Sequence, residues 1–522
     1  MGRDASAHWR AYLIGFALAL SATALAQTRA VHLWSGYGGN AQHTAQSRYA
    51  GGALNVIKWQ TPLDTNPTYR NGDILIHYGE PGITSKGNVL LTCKHGDNNP
   101  FTIEAHRGTD GGQIWSYTSS YVLPTSDWTP SMGLVVYPGP PAVTIGSIGL
   151  GGPSGTTTIA AWPESGGRIA IRSDSDTTKG SVTIHAFYGD ANYAANQAAM
   201  DANVQVCTPI TAGPDGSLYF GYYVVGSNPL NLTSGLAVLR PNGTGSSVGV
   251  AALSGDSSMN RVSFNCAPAL SNDGSTVYEA VSAGDFSGGY LTSASAAGLT
   301  PIAHVLCLDP SNNKPADVSS ISTACPMVAP DNTVYFGVLE NTFDSNNDRG
   351  WLLHYSADLS QTYTPGSFGW DFTPSIVPAS VMPDGGTSSY YIACKYNNYV
   401  GQGTGDGQNK IGLLDPSLNQ FDSKHGINVM YEVETLLGQT PNSAGGFYEW
   451  CINSIAIDVP NQTAICNSED GTVYAWNLAT NKITSKCKLT AGIGEAYTST
   501  FIAPNGTVFA ISNGILFAIN SN

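Results

Sequence analysis

The sequence predicts an all-β protein, an eight-bladed β-propeller closed by an N-terminal strand that pairs with the C-terminal blade. Two observations predict this fold. A phrase of two strands joined by a tight turn recurs along the chain, and its last copy, 506–519, lacks the outer strand that would complete it. A lone segment of alternating polarity, 54–62, can supply that strand. Joining the two ends hides both sheet edges, which is the main structural problem of an all-β protein.

The recurring phrase begins with a small residue or Pro and continues through a strand, a turn and a second strand with aromatic residues. Asp215-Gly216 and Asn505-Gly506 are two of its turns, and such pairs supply the positive φ angles of tight hairpins. Copies begin near residues 81, 130, 209, 268, 326, 374, 453 and 499. This count predicts eight blades, or seven if the degenerate stretch around Pro130 is not a copy. Two stacked sandwiches are the alternative, and they explain the repeat less well.

The first 26 residues have the pattern of a secretory signal peptide. Arg3 and Arg10 precede an apolar run that ends in Ala24-Leu25-Ala26. We therefore expect cleavage near Ala26 and a secreted or periplasmic protein. Residues 27–522 are then predicted to form a single propeller domain with long insertions near 140–205 and 395–450.

Composition narrows the range of partners. The net charge is −15 and no basic run is present, so the chain is a poor partner for nucleic acid. No segment after residue 26 approaches 18 consecutive apolar residues, so we expect no membrane insertion. The nine cysteines include no C-x-x-C pair, which argues against zinc. They are predicted to be buried small apolar residues or to bridge neighbouring blades in part.

One part of the chain resembles a known family. Residues 473–481, Val-Tyr-Ala-Trp-Asn-Leu-Ala-Thr-Asn, resemble the repeat of the quinoprotein alcohol dehydrogenase-like β-propellers, and 514–520 and 56–61 resemble its two interrupted halves. The resemblance covers most of the chain after the signal peptide and is weakest from about 140 to 205. It implies an eight-bladed ring whose two ends share a blade. It implies no activity, because the superfamily contains both enzymes and non-catalytic scaffolds.

The resemblance also implies what a quinone site would need. The dehydrogenases of this superfamily typically hold pyrroloquinoline quinone (PQQ) against a disulfide between adjacent cysteines, with a Trp floor and a calcium ion. No two cysteines are adjacent in this chain. We therefore expect no PQQ and no other resident cofactor, and calcium is the one ion that the site described next could take.

A set of polar and aromatic residues is predicted to surround one mouth of the central channel, because each comes just before the innermost strand of a blade. Carboxylates, amides and aromatic faces suit a carbohydrate or a hard cation such as calcium, and paired carboxylates could act on a glycosidic bond. Structural packing between blades is the alternative, particularly for the Trp residues. No residue is assigned as catalytic. The predicted ligand-binding residues are Asp127, Trp128, Gln205, Asn265, Asp371, Glu449, Trp450, Glu495 and Tyr497.

Two loops are weaker candidates. Residues 344–350 place oxygen-bearing side chains at positions 1, 3 and 5, as the start of a calcium loop does. They lack the Gly and Glu that would complete it, so an Asx-rich hairpin turn is the favoured interpretation. Residues 396–408 form a polar loop that could lie over a channel mouth.

These patterns favour an exported, non-enzymatic propeller that binds a glycan, cell-envelope material or a protein. The rival hypothesis is an enzyme at the acidic mouth, either a quinoprotein dehydrogenase or a polysaccharide hydrolase or lyase. A third is a scaffold whose long insertions bind partner proteins. The sequence does not identify the ligand.

Overall fold

The computed structural model describes residues 33–67, 69–70, 73–74, 79–94, 99–122, 133–139, 157–284, 286–318, 322, 324–383, 388–450, 452–492 and 499–521. The predicted signal peptide lies outside these ranges. Eight of the nine sheets in the described residues are the blades of a propeller, and the ninth is a pair of two-residue strands, so both the fold class and the blade count predicted from the sequence are confirmed. No helix in these ranges combines the length and the apolar composition needed to cross a membrane.

Four short strands precede the first blade. They are β1 (Gln46–Ser47), β2 (Val56–Pro62), β3 (Tyr69–Arg70) and β4 (Asp73–Ile74). Blade 1 contains, from the axis outward, β5 (Gly82–Ile83), β6 (Val89–Cys93), β7 (Thr102–His106) and β8 (Gln113–Thr118). Blade 2 contains β9 (Val135–Pro138), β10 (Thr158–Glu164), β11 (Arg168–Arg172) and β12 (Val182–Ala186).

The innermost strands of blades 3 and 4 are each interrupted, so that two short pieces pair with the same second strand. Blade 3 contains β13 (Val204–Val206) and β14 (Thr211–Ala212) against β15 (Leu218–Val224), followed by β16 (Gly235–Leu239) and β17 (Gly245–Gly249). Blade 4 contains β18 (Arg261–Val262) and β19 (Ala269–Leu270) against β20 (Thr276–Ser282), followed by β21 (Gly289–Ser295) and β22 (Pro301–Leu306). Helices α1 (Asp190–Asn203) and α2 (Val250–Ser254) lie between strands here.

Blades 5 and 6 differ in length. Blade 5 contains β23 (Met327–Val328), β24 (Val334–Val338) and β25 (Trp351–Tyr355), whereas blade 6 contains β26 (Ser375–Pro378), β27 (Tyr390–Tyr396), β28 (Lys410–Asp422) and β29 (Ile427–Leu437). The long β28–β29 hairpin reaches over blade 5, where the Met430 N–H donates to the Pro365 carbonyl at 2.8 Å and Val429 joins the hydrophobic core of that blade. The hairpin thus covers the position that a fourth strand occupies in other blades.

Blade 7 contains β30 (Ala456–Asp458), β31 (Thr463–Asn467), β32 (Thr472–Asn477) and β33 (Lys482–Lys488), with β1 added in parallel beside β30. Blade 8 contains β34 (Phe501–Ile502), β35 (Val508–Ser512) and β36 (Ile515–Asn520), and β2 is its outermost strand. β2 pairs with β36 from Val56 opposite Asn520 to Pro62 opposite Ile515. The two ends of the chain therefore share blade 8, in the pairing that the sequence predicts.

The two stretches predicted to be insertions carry blade strands in the described structure. Residues 157–186 contain β10 to β12, and residues 410–437 contain the β28–β29 hairpin. Their turns explain the difference. The β10–β11 connection runs through Ser165-Gly166-Gly167, and the β28–β29 turn ends in His425-Gly426, so neither turn contains the Asp-Gly or Asn-Gly pair that marks the repeat elsewhere.

Buried apolar side chains lie between neighbouring blades. Trp115 of blade 1 and Trp162 of blade 2 bring their ring centroids to 6.2 Å, and Phe187, which follows β12 of blade 2, meets Phe220 of blade 3 at 5.9 Å. Because each sheet buries both faces against its neighbours, the strands carry nearly continuous apolar residues. Burial between adjacent sheets is what holds the ring together.

Residues 33–47, here called the axial segment, pass once round the inner strands. Six of its carbonyls accept hydrogen bonds of 2.7–3.0 Å from one inner strand each, in chain order. The donor and acceptor pairs are Ile83 to Trp34, Val136 to Ser35, Leu270 to Ala41, Val328 to Gln42, Ile376 to Thr44 and Ile457 to Ala45. These pairs belong to blades 1, 2, 4, 5, 6 and 7. In blade 3 the Thr211 hydroxyl lies 3.5 Å from His43 Nε2, and in blade 8 Phe501 packs against Trp34.

Candidate functional site

Asp371 lies in the loop that leads into β26 of blade 6. Its φ of 56° is in the left-handed region, which Asp tolerates better than most residues that have a side-chain β carbon. Its side chain is almost entirely buried. The local backbone is held because the Trp370 N–H donates to the Arg349 carbonyl at 3.2 Å. The loop therefore turns a carboxylate inward at the entrance of the inner strand.

Lys395 supplies the cation that faces this carboxylate. It is the sixth residue of β27, and only 2% of its side chain is exposed. Its Nζ lies 3.7 Å from Asp371 Oδ2. A buried charge needs a partner, because removing it from water costs several kcal/mol, so the two residues are best viewed as one ion pair.

Glu449 is the third charged member of this cluster. It lies before the inner strand of blade 7 and accepts a hydrogen bond from the Tyr399 hydroxyl at 2.8 Å. Burial raises the pKa of the Glu449 carboxyl and Asp371 adds to the rise, whereas the charge of Lys395 and the Tyr399 hydroxyl act in the opposite direction. The net effect is a raised pKa. Two acids thus share one lysine, and the second acid keeps its proton to a higher pH than an ordinary glutamate.

The loop 397–409 forms one wall of this cluster. The Asn397 side-chain amide donates to the Tyr399 hydroxyl at 2.8 Å, so Tyr399 is held between an amide and Glu449. Asn398 bonds to Asp406 across the loop, and the Thr404 N–H donates to Asn347 Oδ1 of blade 5 at 2.8 Å. These bonds tie the polar loop singled out in the sequence to blades 5 and 7, next to the acidic residues. We call Asp371, Lys395, Asn397, Tyr399 and Glu449 the blade 6/7 cluster.

The remaining predicted site residues are distributed as follows. Gln205 lies on β13 opposite Tyr223, in blade 3. Asn265 is buried in blade 4 with a φ of 62°, and its N–H donates to the Cys207 carbonyl at 3.2 Å. The structure therefore brings Asp371 and Glu449 together through Lys395, while Gln205 and Asn265 lie in other blades. Asp127, Trp128, Glu495 and Tyr497 lie outside the described residues.

Trp450 occupies a packing position. Its side chain is 1% exposed and belongs to the hydrophobic cluster between blades 6 and 7, where its ring meets Tyr474 edge to face at 5.5 Å. This is the arrangement that the packing alternative predicts. Trp450 follows Glu449 in the chain, but its ring packs among apolar side chains whereas the Glu449 carboxyl group faces Tyr399.

The loop 344–350 is organised by a carboxylate. Glu340 is fully buried and accepts N–H groups from Asn346, Asp348 and Gly350 at 3.1, 2.7 and 2.8 Å. The Asn346 side chain bonds to the Gly350 carbonyl and to Arg349. The loop is thus a hydrogen-bonded turn built round Glu340, as the Asx-turn interpretation predicts. Within the described ranges, no group of three or more His, Cys, Asp or Glu side chains is arranged to hold a metal ion.

The axial segment adds buried polar groups that sequence reasoning missed. The Gly38 N–H donates to Glu80 Oε2 at 2.9 Å, and burial raises the pKa of Glu80 to about 8. The Tyr37 and Thr373 hydroxyls are 2.9 Å apart. His43 Nδ1 lies 2.8 Å from the Pro326 carbonyl, and burial lowers the pKa of His43 to about 4. The one signal in the sequence is the Gly38-Gly39 pair, because both residues adopt positive φ where the segment turns.

Comparisons with known proteins find similarity at the level of structure. A europium-containing methanol dehydrogenase aligns over 92% of this chain and 89% of its own, with 9% identity and a TM-score of 0.53. The quinohemoprotein alcohol dehydrogenase from Comamonas testosteroni aligns over 95% and 82%, with 8% identity and a TM-score of 0.52. Sqt1 from Saccharomyces cerevisiae aligns over 90% and 99%, with 9% identity and a TM-score of 0.51.

No family model matches the sequence, and no curated protein matches it either. At identities of 8–9%, these structures show a shared fold and support no conclusion about activity, ligands or site residues. The eight-bladed propeller that the resemblance of residues 473–481 implies is the fold of this chain, and the two dehydrogenases and Sqt1 align with it over most of their length.

Proposed function

We propose that this chain is an exported, non-catalytic propeller that binds a glycan or glycan-rich cell-envelope material at the blade 6/7 cluster. The observation that carries the proposal is the chemistry of that cluster. Glu449, Tyr399 and Asn397 offer a carboxylate, a phenol and an amide side by side, which are the groups that bind sugar hydroxyls. Glu449 and Tyr399 are partly exposed, whereas Asn397 beside them is buried.

The ion pair explains why binding is favoured over catalysis. Hydrolysis of a glycosidic bond needs two carboxyl groups with separate roles, one as acid and one as base or nucleophile. Asp371 is buried and paired with Lys395, and the carboxyl group next to Glu449 is that of Glu469, whose side chain is hydrogen-bonded to it. Two carboxyl groups in direct contact lack the separation of about 5 Å or more that the two roles require, so the arrangement supports recognition better than it supports that reaction.

Two features support the expectation that no quinone is bound. The eight cysteines in the described ranges are spread over six blades, and none is adjacent to another in sequence. The axial segment also occupies the region enclosed by the inner strands, where it contacts every blade. A planar cofactor would have to displace hydrogen bonds that hold the ring.

Binding is tested on a glycan array with the wild-type protein and two variants, E449Q and Y399F. We expect a specific set of glycans to bind the wild type, and both variants to lose at least about tenfold in affinity, since each removes one hydrogen bond to a charged or polar group. D110N, on an exposed turn of blade 1, is the matched control and should bind normally. Equal binding by all four proteins would show that the ligand does not bind at the blade 6/7 cluster. Binding to protein targets and to no glycan would show that the ligand is a protein.

A polysaccharide hydrolase or lyase is the second candidate, and the raised pKa of Glu449 favours it, because a general acid must keep its proton near the working pH. Turnover of a bound polysaccharide that is lost in E449Q would establish this alternative. Binding without turnover in the wild type would exclude it.

Export is tested separately. The proposal expects the mature protein to begin near Gln27 and to be found outside the cytoplasm. Amino-terminal sequencing of the protein recovered from each cell fraction measures both. Uncleaved protein confined to the cytoplasm would contradict the proposed export. It would not affect the binding proposal, which the glycan array tests separately.

A further inference from the structure

We propose that Cys266 and Cys325 form a disulfide that links blades 4 and 5 beside the axial segment. Cys266 lies between β18 and β19 of blade 4, and Cys325 lies two residues before β23 of blade 5. Both side chains are fully buried. The cross-link would be made between neighbouring blades at the centre of the ring, and it does not depend on the ligand proposed above.

The position of the Cys325 sulfur carries this inference. It accepts the Ala267 N–H at 3.0 Å and donates to the Asn265 carbonyl at 3.3 Å. Ala267 and Asn265 are the residues on either side of Cys266, so the sulfur of Cys325 faces the backbone of Cys266 itself. The two thiols also share a hydrogen bond. Disulfides join residues whose Cα atoms lie about 4.4–6.8 Å apart, and the contacts of the Cys325 sulfur with both flanking peptide groups make the two cysteines direct neighbours.

A carboxyl group stands beside the pair. Glu279 of β20 is fully buried, hydrogen-bonds the Cys266 thiol and accepts the Ala280 N–H at 2.9 Å. In the finished fold, burial raises the pKa of Glu279 and also that of the Cys266 thiol, so the proton moves from Cys266 to the ionised Glu279 carboxylate before the two groups are buried. Glu279 is therefore a positioning and proton-accepting residue for Cys266.

The chemical step balances with a disulfide compound such as oxidised glutathione as the oxidant. Glu279 takes the Cys266 proton, the thiolate attacks the oxidant, and one glutathione leaves as a thiolate that takes up a proton from water. Cys325 then loses its proton to water and its thiolate attacks the Cys266 sulfur of the mixed disulfide, so that the second glutathione leaves as a thiolate and is protonated in turn. Two protein thiols are oxidised and one glutathione disulfide is reduced to two thiols. Because both cysteines are buried in the finished fold, the step belongs to folding, while blades 4 and 5 come together.

Other described cysteines are less well placed for this exchange. The Cys394 thiol donates to the Phe368 carbonyl at 3.6 Å, and the Cys466 thiol donates to the Ala464 carbonyl at 3.7 Å. Cys207 is a nearer competitor, because its carbonyl accepts the Asn265 N–H and its thiol is close enough to Glu279 to feel its charge. Its side chain packs in the cluster between blades 3 and 4, whereas Cys266 packs in the cluster between blades 4 and 5 and Cys325 packs with Tyr37 and Ala267.

The test follows thiols through folding. The full chain is unfolded, reduced and refolded in reduced and oxidised glutathione, and the folded fraction is denatured with N-ethylmaleimide and digested for mass spectrometry. We expect a Cys266–Cys325 peptide pair lighter by two hydrogens, with maleimide on Cys394 and Cys466. Folded protein with maleimide on both Cys266 and Cys325, or a link from Cys266 to Cys207, would overturn the proposal.

Two test variants and one control variant complete the experiment. C325S should leave Cys266 labelled by maleimide, and E279Q should slow formation of the link by about tenfold or more without changing its final yield. E434Q, which alters a half-buried carboxyl of blade 6, should form the link at the wild-type rate. If the chain does not refold, the same labelling of protein recovered from an oxidising compartment decides between the two outcomes. Equal rates in E279Q and wild type would remove Glu279 from the step.

Discussion

The Nζ of Lys395 lies 3.7 Å from Oδ2 of Asp371, and these side chains are 2% and 5% exposed. Glu449 is close enough to both for their charges to act on its pKa. One buried lysine is therefore the common neighbour of two acids from different blades, and it couples the stability of blades 6 and 7 to the chemistry of the site.

Replacing Lys395 by Met tests this coupling. The variant leaves Asp371 as a buried charge beside Glu449, and we expect a loss of about 3–5 kcal/mol in the free energy of unfolding. The double variant D371N/K395M should recover part of that loss, because no buried charge is left without a partner. Chemical denaturation measures both, with K179M, an exposed lysine of blade 2, as the control. A K395M protein as stable as the control would show that the ion pair contributes nothing.

Glu80 predicts a pH dependence of stability. Its folded-state pKa of about 8 is above its ordinary value of about 4.5, so protonation favours the folded state. The stability from Glu80 is fully present below about pH 4.5 and is lost as the pH rises to about 8, by at most about 1.4 kcal/mol per pH unit. The melting temperature of the wild type should therefore fall relative to that of E80Q as the pH rises from 5 to 8. A difference that stays constant with pH would contradict the raised pKa.

His43 predicts the opposite dependence. Its folded-state pKa of about 4 is below its ordinary value of about 6.5, so protonation favours the unfolded state. The stability from neutral His43 is present above pH 6.5 and is lost as the pH falls toward 4. Wild type should therefore lose more stability than H43N between pH 6.5 and 4.5, as measured by urea denaturation at each pH. Parallel curves for the two proteins would show that His43 does not titrate in this range.

Gly38 and Gly426 form a matched pair for testing the axial segment. Both have positive φ, 58° and 72°, but a Cβ on Gly38 would stand 2.6 Å from the His43 Cα, whereas a Cβ on Gly426 would meet nothing within 4 Å. G426A should cost about 1–2 kcal/mol from backbone strain alone, and G38A should cost more, because the segment must also move. Thermal unfolding of the two variants measures the difference. Equal losses of stability in G38A and G426A would show that the axial segment can move to accommodate the added side chain at no further cost in free energy.

Parts of this structure with local signals could be predicted from the sequence. The turns at Gly216 and Gly506 adopt φ of 83° and 82°, as Asp-Gly and Asn-Gly pairs predict, and the register of β2 against β36 follows from their alternating residues. The axial segment could not be predicted in this way. Its partners are as far away as Leu270 and Ile457, and it has no alternation of its own because it lies across inner strands of many blades.

The site was predicted in part for a related reason. Asp371 and Glu449 were found because they precede inner strands, where the repeat places the channel mouth. Lys395 was missed because it stands within β27, where the sequence around it is that of an ordinary strand. Which charged side chains meet is decided by how the blades and their loops pack together. The alternation of residues within one strand does not predict such a contact.

The axial segment also has a consequence for how this protein can change over evolutionary time. Propellers gain and lose blades by duplication and deletion, because each blade contacts only its neighbours. Here a short stretch of chain meets the blades one after another, from Ile83 at Trp34 to Ile457 at Ala45. If a blade were added or deleted, every later residue of the axial segment would face the inner strand of the wrong blade. The length of the axial segment therefore fixes the number of blades at eight, while the surface loops can change without disturbing these contacts.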